Sequence, residues 1–263
     1  MNGYVELTNG QVALAGLLIL FNGAISIGLR LQMEPSLLLA SVRTTVQLLL
    51  VGLVLEWVFR LERWYVVLAI GAMMTLIAGL TAAGRNQRRY PGIWLNTVIS
   101  IWASAWIVTS FALLAVMRDT EPWYDPQYAI PLLGMVLGNT LNGISVGLNT
   151  FTEALVTRRD QVEAQLAMGA SRWEAALAPI QHAVRTGMIP IINSMMIVGI
   201  VSLPGMMTGQ ILAGMAPVEA VKYQVVIMFL VASATSLGTV SVVLLSFLRL
   251  FSNDHQFLHG KIK

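Results

Sequence analysis

The chain has 263 residues, 56% of them hydrophobic and 11% charged, with a mean hydropathy of +0.72; so apolar a composition excludes a soluble globular domain and points to an integral membrane protein. Its 16 basic and 13 acidic residues leave a net charge of +3, which in a membrane chain reflects basic loops gathered on one side, so no nucleic-acid partner is expected. The absence of cysteine excludes disulfides, thiolate metal sites and thiol nucleophiles together.

Residues 1–11 carry Glu6 and no Lys or Arg, so the basic region of a cleavable signal is missing. Apolar runs then recur near 12–31, 37–58, 64–84, 94–117, 129–149, 187–204 and 222–248, each close to the ~20 residues a helix needs to cross the bilayer core. The runs are continuous rather than alternating, and a lipid-exposed backbone must satisfy its own hydrogen bonds, which favours helices over barrel strands. The expected fold class is all-α: a polytopic transmembrane helical bundle of about seven spans, packed with membrane lipid. Six is the alternative, because Pro190 and Pro204 limit the run 187–204 to about 27 Å at 1.5 Å per residue. The whole of 1–263 reads as a single transmembrane domain, with no internal repeat, second soluble domain or low-complexity linker.

Placing the N-terminus outside and the C-terminus in the cytoplasm puts 12 of the 16 basic residues at or near the cytoplasmic face and leaves only Arg60, Arg63, Arg118 and Lys222 outside, satisfying the positive-inside rule. The loop 118–127, with Asp119, Glu121 and Asp125, is then an acidic external loop, and Trp57, Trp64, Trp94 and Trp123 lie near span ends as interfacial anchors.

The polar insert 150–186, between the fifth and sixth spans, is cytoplasmic on this topology. Thr150-Phe151-Thr152-Glu153 and Ser171-Arg172-Trp173-Glu174 both have the form of a capping box. Gly169 can take positive φ without a Cβ clash, so it ends one short helix just before Ser171 starts the next. A compact helical hairpin is expected, serving either as a docking element or as a plain connection between two spans.

Among the spans, the fifth has the small-residue spacings Gly134-x-x-x-Gly138 and Gly143-x-x-x-Gly147, with Asn139, Asn142 and Asn149 as amides costly in lipid. Asn142 and Asn149 are seven apart, nearly on one face. These residues line a translocation path or serve as helix-packing groups. Arg43 and Gln47 share a face of the second span; Arg43 is shallow enough to snorkel, and Gln47 is the deeper path candidate. Leu203-Pro204-Gly205 breaks the sixth run, and 206–216 is too short to cross, so it reads as a re-entrant or interfacial segment. Met206 and Met207 offer thioethers to a soft metal, although methionine more often packs. No concentrated metal site is visible: His182, His255 and His259 all fall in cytoplasmic segments.

Gly143-Ile144-Ser145-Val146-Gly147 matches the nucleophile elbow of serine hydrolases, but it lies in an apolar helical run without a histidine. An intramembrane serine hydrolase is therefore the weakest reading, and a stand-alone secondary transporter or channel is the main rival to the one that follows.

Glu163-Ala164-Gln165 with Gly169 resembles the Glu-Ala-Ala-x-x-x-Gly loop by which ABC-transporter permeases dock on their ATPase subunit, although Pro179-Ile180-Gln181-His182 stands where those permeases usually have Ile-x-Leu-Pro. The stretch Val198-Gly199-Ile200-Val201-Ser202-Leu203-Pro204-Gly205-Met206-Met207-Thr208-Gly209, with Ala213-Gly214, Ala220-Val221-Lys222-Tyr223-Gln224, Arg43 to Gln47 and Gly138-Asn139, resembles the Fet-type iron-export permeases of bacteria, a family that includes plant proteins linked to aluminium tolerance. That resemblance implies a permease of the bacterial inner membrane exporting iron or a related solute, with two permeases and two soluble ATPase subunits. Glu163, Ala164, Gly169, Ala170 and Ser171 would then couple to the ATPase. The chain has no Gly-x-x-x-x-Gly-Lys-Ser/Thr phosphate loop, so it is not expected to act as an enzyme or to hold a cofactor, and ATP and magnesium would belong to the partner.

Overall fold

The computed structural model describes residues 8–61, 63–116, 122 and 124–262. Glu6, the loop residues Arg118, Asp119 and Glu121, the anchor Trp123 and the terminal Lys263 lie outside them. Regular structure among the described residues is helical, with two isolated bridges and no strand. Six helices are long and apolar enough to cross a membrane: α1 (Asn9–Gly28), α2 (Glu34–Leu61), α3 (Trp64–Gly84), α4 (Ile93–Phe111) extended by a π-helical turn at Ala112–Val116, α5 (Pro126–Thr157) and α9 (Pro217–Leu250). Three others complete the order: α6 (Arg159–Ala167), α7 (Arg172–Ile197) and α8 (Gly205–Leu212). The protein is an all-α, polytopic integral membrane protein.

The expected run 187–204 is not among the six. Its residues up to Ile197 are the last part of α7, whose preceding residues include Arg172, Glu174, His182 and Arg185 and lower the apolarity of the whole helix. Pro190 sits inside α7 instead of bounding it, because a lost backbone bond in an embedded helix can be made good by neighbouring groups. The break comes ahead of Pro204: Gly199 takes φ +83 and its N–H bonds the Ser202 carbonyl at 2.8 Å. The segment 206–216 is not irregular throughout, since α8 occupies most of it.

The chain divides into two compact units, residues 1–62 with 212–214, and residues 63–211 with 215–263. In the first, Thr8 and Gln11 form a capping box at the start of α1. Arg30 and Gln32 take positive φ between the two helices, and the Ser26 hydroxyl accepts the Met33 N–H at 3.1 Å. Both helices present apolar side chains almost all round, the pattern lipid demands. Arg43 and Gln47 are exposed on α2.

In the second unit α5 is the central helix, in contact with α3, α4, α7 and α9. Its 32 residues give a rod ~48 Å long. The second glycine spacing of α5 makes the closest crossing: a Cβ at Gly147 would come 2.6 Å from Thr239 Cγ2 of α9, and one at Gly187 of α7 would come 2.7 Å from the same methyl and 2.8 Å from the Gly143 carbonyl. Only hydrogen at these positions lets the three backbones approach so far. The first spacing does not act this way, because space beside Gly138 is open to 4 Å and Gly134 meets only Met74 at 3.4 Å.

Candidate functional site

The elbow between α6 and α7 is built by two complementary helix ends. Gly169, at φ +93, donates its N–H to the Leu166 carbonyl (3.1 Å), and Ala170 donates to Gln165 (3.0 Å), the paired bonds of a Schellman termination. Ser171 starts α7 at once with a full capping box: its N–H and hydroxyl both donate to Glu174 Oε2 at 2.7 Å, and the Glu174 N–H returns to Ser171 Oγ at 3.3 Å. The Ser171 hydroxyl and then its backbone N–H hold the Glu174 carboxyl below its usual range. Met168, just before the turn, is 80% exposed, and Ala164 is exposed on the same short helix.

The first capping box expected from sequence does not form. Thr150, Phe151, Thr152 and Glu153 lie within α5, which runs unbroken to Thr157; the Thr152 hydroxyl bonds the Leu148 carbonyl at 3.0 Å, as a mid-helix threonine does. Thus the insert is not two short helices around a turn. α5 and α7 are long helices that carry the elbow, with only α6 short.

Two segments brace this end of the unit, and sequence reading gave neither a structural role. The loop after α3 lies along one stripe of α5: Arg85 Nη1 donates to Asn142 Oδ1 (2.8 Å), Gln87 N to Asn149 Oδ1 (3.2 Å), and Arg88 Nε to Glu153 Oε2 (3.0 Å). In the same loop Tyr90 is buried, its hydroxyl 2.7 Å from Ser246 Oγ and accepting from Asn96 at 3.0 Å; burial pushes its phenol above the usual range. The C-terminal tail turns back from α9, with Leu258 N bonding Leu250 O at 2.8 Å. Phe251 stacks between Phe247 and Phe257, with centroid distances of 5.2 and 5.1 Å.

Arg172 clasps that tail to the elbow. Its Nη1 donates to the Ser252 carbonyl (3.1 Å) and Asn253 Oδ1 (2.8 Å), its backbone N–H to His255 Nδ1 (2.9 Å), and its guanidinium lies 5.8 Å from the Phe247 ring centroid. Glu163 of α6 takes the Arg159 Nε at 2.7 Å and has His259 Nδ1 at 3.7 Å. The Phe247, Phe251 and Phe257 spacing is the one sequence signal that could have marked the tail as packed. Arg88, Arg172, Arg249 and Lys261 all make bonds around this end of the unit, whereas Arg85 bonds Asn142 near the middle of α5.

A model of the "Uncharacterised protein family (UPF0014)" matches residues 9–251. The chain belongs to the UPF0014 family. It is similar to "UPF0014 membrane protein slr1647" of Synechocystis, 38% identical with 87% of each chain covered, and to "Probable iron export permease protein FetB" of Escherichia coli, 31% identical over 100% of this chain and 99% of that one. "Protein ALUMINUM SENSITIVE 3" of Arabidopsis thaliana is 30% identical over 93% of this chain and 88% of its own. No solved structure matches the chain.

In this UPF0014 chain the residues singled out for a path sit in separate surroundings. Gln47 is exposed on α2 in the first unit. Asn139 is exposed on α5 and donates to its own helix at the Met135 carbonyl (2.9 Å), and Asn142 is held by Arg85. Met206 and Met207 are neighbours that line different cavities. Met206 faces one of about 240 Å³ with Tyr128, Glu219 and Lys222. Met207, almost fully buried, faces one of about 320 Å³ with Met195, Gln224 and Met228. Among the described residues no three His, Asp or Glu side chains gather as a metal cluster. Ser145 lies in mid-helix with its hydroxyl on the Leu141 carbonyl at 2.8 Å, so no strand-to-helix turn presents it as a nucleophile.

Proposed function

We propose that this chain is the membrane-spanning permease subunit of an ABC exporter for iron or a related metal or solute, working with ATP that a separate soluble ATPase hydrolyses. The observation that carries this reading is the elbow: a capped tip turning at Gly169, with Met168 80% exposed beside it, mounted between helices of the bundle and braced by Arg172. Such a tip can transmit a push without bending locally. Glu163, Ala164, Gly169, Ala170 and Ser171 form it, and a groove on the ATPase is the proposed receiver. ATP and magnesium stay with that partner, and two permeases with two ATPases make the complex.

The orientation follows from charge. Arg88, Arg172, Arg249 and Lys261 gather near the elbow, which under the positive-inside rule supports an orientation with that end in the cytoplasm of a bacterial inner membrane, where ATP is available, and the N-terminus outside. Closing of the ATPase dimer would move the elbows, and α5 and α7 would pass the motion through the Gly147–Gly187–Thr239 crossing, changing which side of the bundle is open. Met206 and Met207 line cavities toward the other end of α5 and α9, and the path is proposed to run there; Gln47, Asn139 and Asn142 are secondary candidates. The name of the Escherichia coli relative supports iron as cargo.

The test is transport in inside-out membrane vesicles. Vesicles carrying the permease and its ATPase should accumulate radioactive iron only when ATP is supplied, and vesicles lacking the permease should not. Equal accumulation with and without the permease would sink the proposal.

A further inference from the structure

The C-terminal tail meets the elbow at the start of α7. A helix leaves its first backbone N–H groups without partners of its own. At α7 the Glu174 N–H is taken by Ser171 Oγ, and the Arg172 N–H, at the first helical position, is taken from outside by His255 Nδ1 at 2.9 Å. An imidazole nitrogen accepts only while it carries no proton, so this bond requires His255 neutral with its proton on Nε2. The loop that presents it is closed on itself, with the Ser252 N–H bonding the Gln256 carbonyl at 2.9 Å and the Gln256 N–H bonding Ser252 Oγ at 3.2 Å. His255 takes φ +55 there, a left-handed conformation that persists in a non-glycine residue where its surroundings hold it.

Protonation turns this contact from attraction to repulsion. Nδ1–H would face the Arg172 N–H, donor to donor, and an imidazolium would add positive charge at the positive end of the α7 dipole. Charged groups stand around His255 on each side. On α7 the Arg172 guanidinium repels a cation and Glu174 attracts one, but Glu174 Oε2 already accepts both Ser171 donors. On the tail Asp254 is exposed beside it. An imidazolium that turned to either carboxylate would still leave the Arg172 N–H without its acceptor. On α6 Glu163 is paired with Arg159 and has His259 Nδ1 at 3.7 Å, so a proton on His259 strengthens the far end of the tail and not the bond at α7. His255 is exposed, so bulk solvent supplies its proton, and histidine ordinarily changes charge between about pH 5 and 8.

We infer that His255 is a proton-operated clasp: neutral, it ties the C-terminal tail to the N-terminus of α7, and protonated, it releases that tie and loosens the elbow. What the release does to ATPase docking rests on the permease reading; the release itself does not. On that reading acid at the elbow weakens coupling, while the Arg172 guanidinium and the stack of Phe247, Phe251 and Phe257 keep the tail from leaving altogether.

The experiment is hydrogen–deuterium exchange of the purified full-length protein in phospholipid nanodiscs at about pH 8 and about pH 5.5, with each rate divided by the intrinsic rate at that pH. Glu174, held below the usual carboxylate range by its Ser171 bonds, stays ionised at both. Protection of residues 252–256 and of the first turn of α7 should fall by roughly threefold to tenfold at the lower pH, the effect of losing one such bond. Protection in the middle of α5 should not change, which shows that the bundle stays folded. His255→Asn offers an uncharged acceptor and suits the left-handed backbone, so it should keep its protection at both pH values. His255→Lys is charged at both and should show the low protection throughout. His259→Gln should leave the pH response of 252–256 intact.

Equal wild-type protection at the two pH values, an equal fall in His255→Asn, or full protection in His255→Lys would overturn the inference and leave ATPase capture at the elbow unaffected. The expected fall, with no ATPase captured by a crosslinker at the elbow, would instead sink the permease reading and leave the clasp standing.

Discussion

Gly187→Ala should damage the bundle far more than its single methyl suggests. The new Cβ would lie 2.7 Å from Thr239 Cγ2, 2.8 Å from the Gly143 carbonyl and 3.2 Å from the Gly147 Cα. Two of these neighbours are backbone, so no rotamer change relieves the contact, and α7 must move off α5 and α9. Overpacking of this kind costs roughly 1–3 kcal/mol, and the upper part of that range is expected. Gly147→Ala meets mainly the Thr239 methyl, at 2.6 Å, with the Ala183 carbonyl at a tolerable 3.4 Å. Thr239→Ser should therefore rescue Gly147→Ala almost fully and Gly187→Ala only in part. Gly138→Ala, with no atom within 4 Å, should be neutral or stabilising by up to about 1 kcal/mol, because alanine is the better helix former. Reversible unfolding in mixed micelles, read by circular dichroism, gives the differences. If Gly187→Ala proved no more destabilising than Gly138→Ala, or if Thr239→Ser rescued it completely, the three-helix crossing would be wrong.

Three further outcomes concern the elbow. Gly169→Val should cost about 1–2 kcal/mol locally through its positive φ alone, since the space around its Cβ is open; Gly169→Asn, better suited to that region, should keep most of the ATP-driven transport that Gly169→Val loses. Arg172→Ala should release the tail, and amide exchange at 252–258 should quicken by roughly tenfold or more as bonds worth about 1–2 kcal/mol are lost; no change would show that the aromatic stack alone holds it. Glu174 has a folded pKa below its unfolded one, so its capping contribution is complete above the ordinary carboxylate pKa and fades as pH falls through the lowered value. The elbow amides should exchange faster under acid, and Glu174→Gln should flatten that dependence.

Helix existence was largely legible in the sequence because continuous apolar runs suit only helices in lipid. Local signals failed where tertiary contacts decide. Thr150–Glu153 and Ser171–Glu174 have the same Ser/Thr-x-x-Glu spacing, yet only the second forms a cap, because Gly169 has already ended the preceding helix, whereas nothing interrupts α5 at Thr150 and Arg88 draws Glu153 to its side. The shared face of Asn142 and Asn149 was readable from their spacing. That Arg85 and Gln87, about sixty residues earlier, occupy both amides was not. Methionines 206 and 207 are adjacent in sequence and line different cavities because they project from successive positions of α8, a division only the packing of α7 and α9 against it reveals.

The central claim, that the elbow receives a separate ATPase, is tested most directly by crosslinking. The chain has no native cysteine, so Met168→Cys supplies a single thiol at a position 80% exposed and, unlike Ser171, one whose side chain makes no cap. A short photo-crosslinker attached there in native membranes should capture one soluble protein bearing a nucleotide-binding phosphate loop, and less of it in Gly169→Val. Full labelling of the thiol with adducts confined to lipid or to the chain itself would contradict the account.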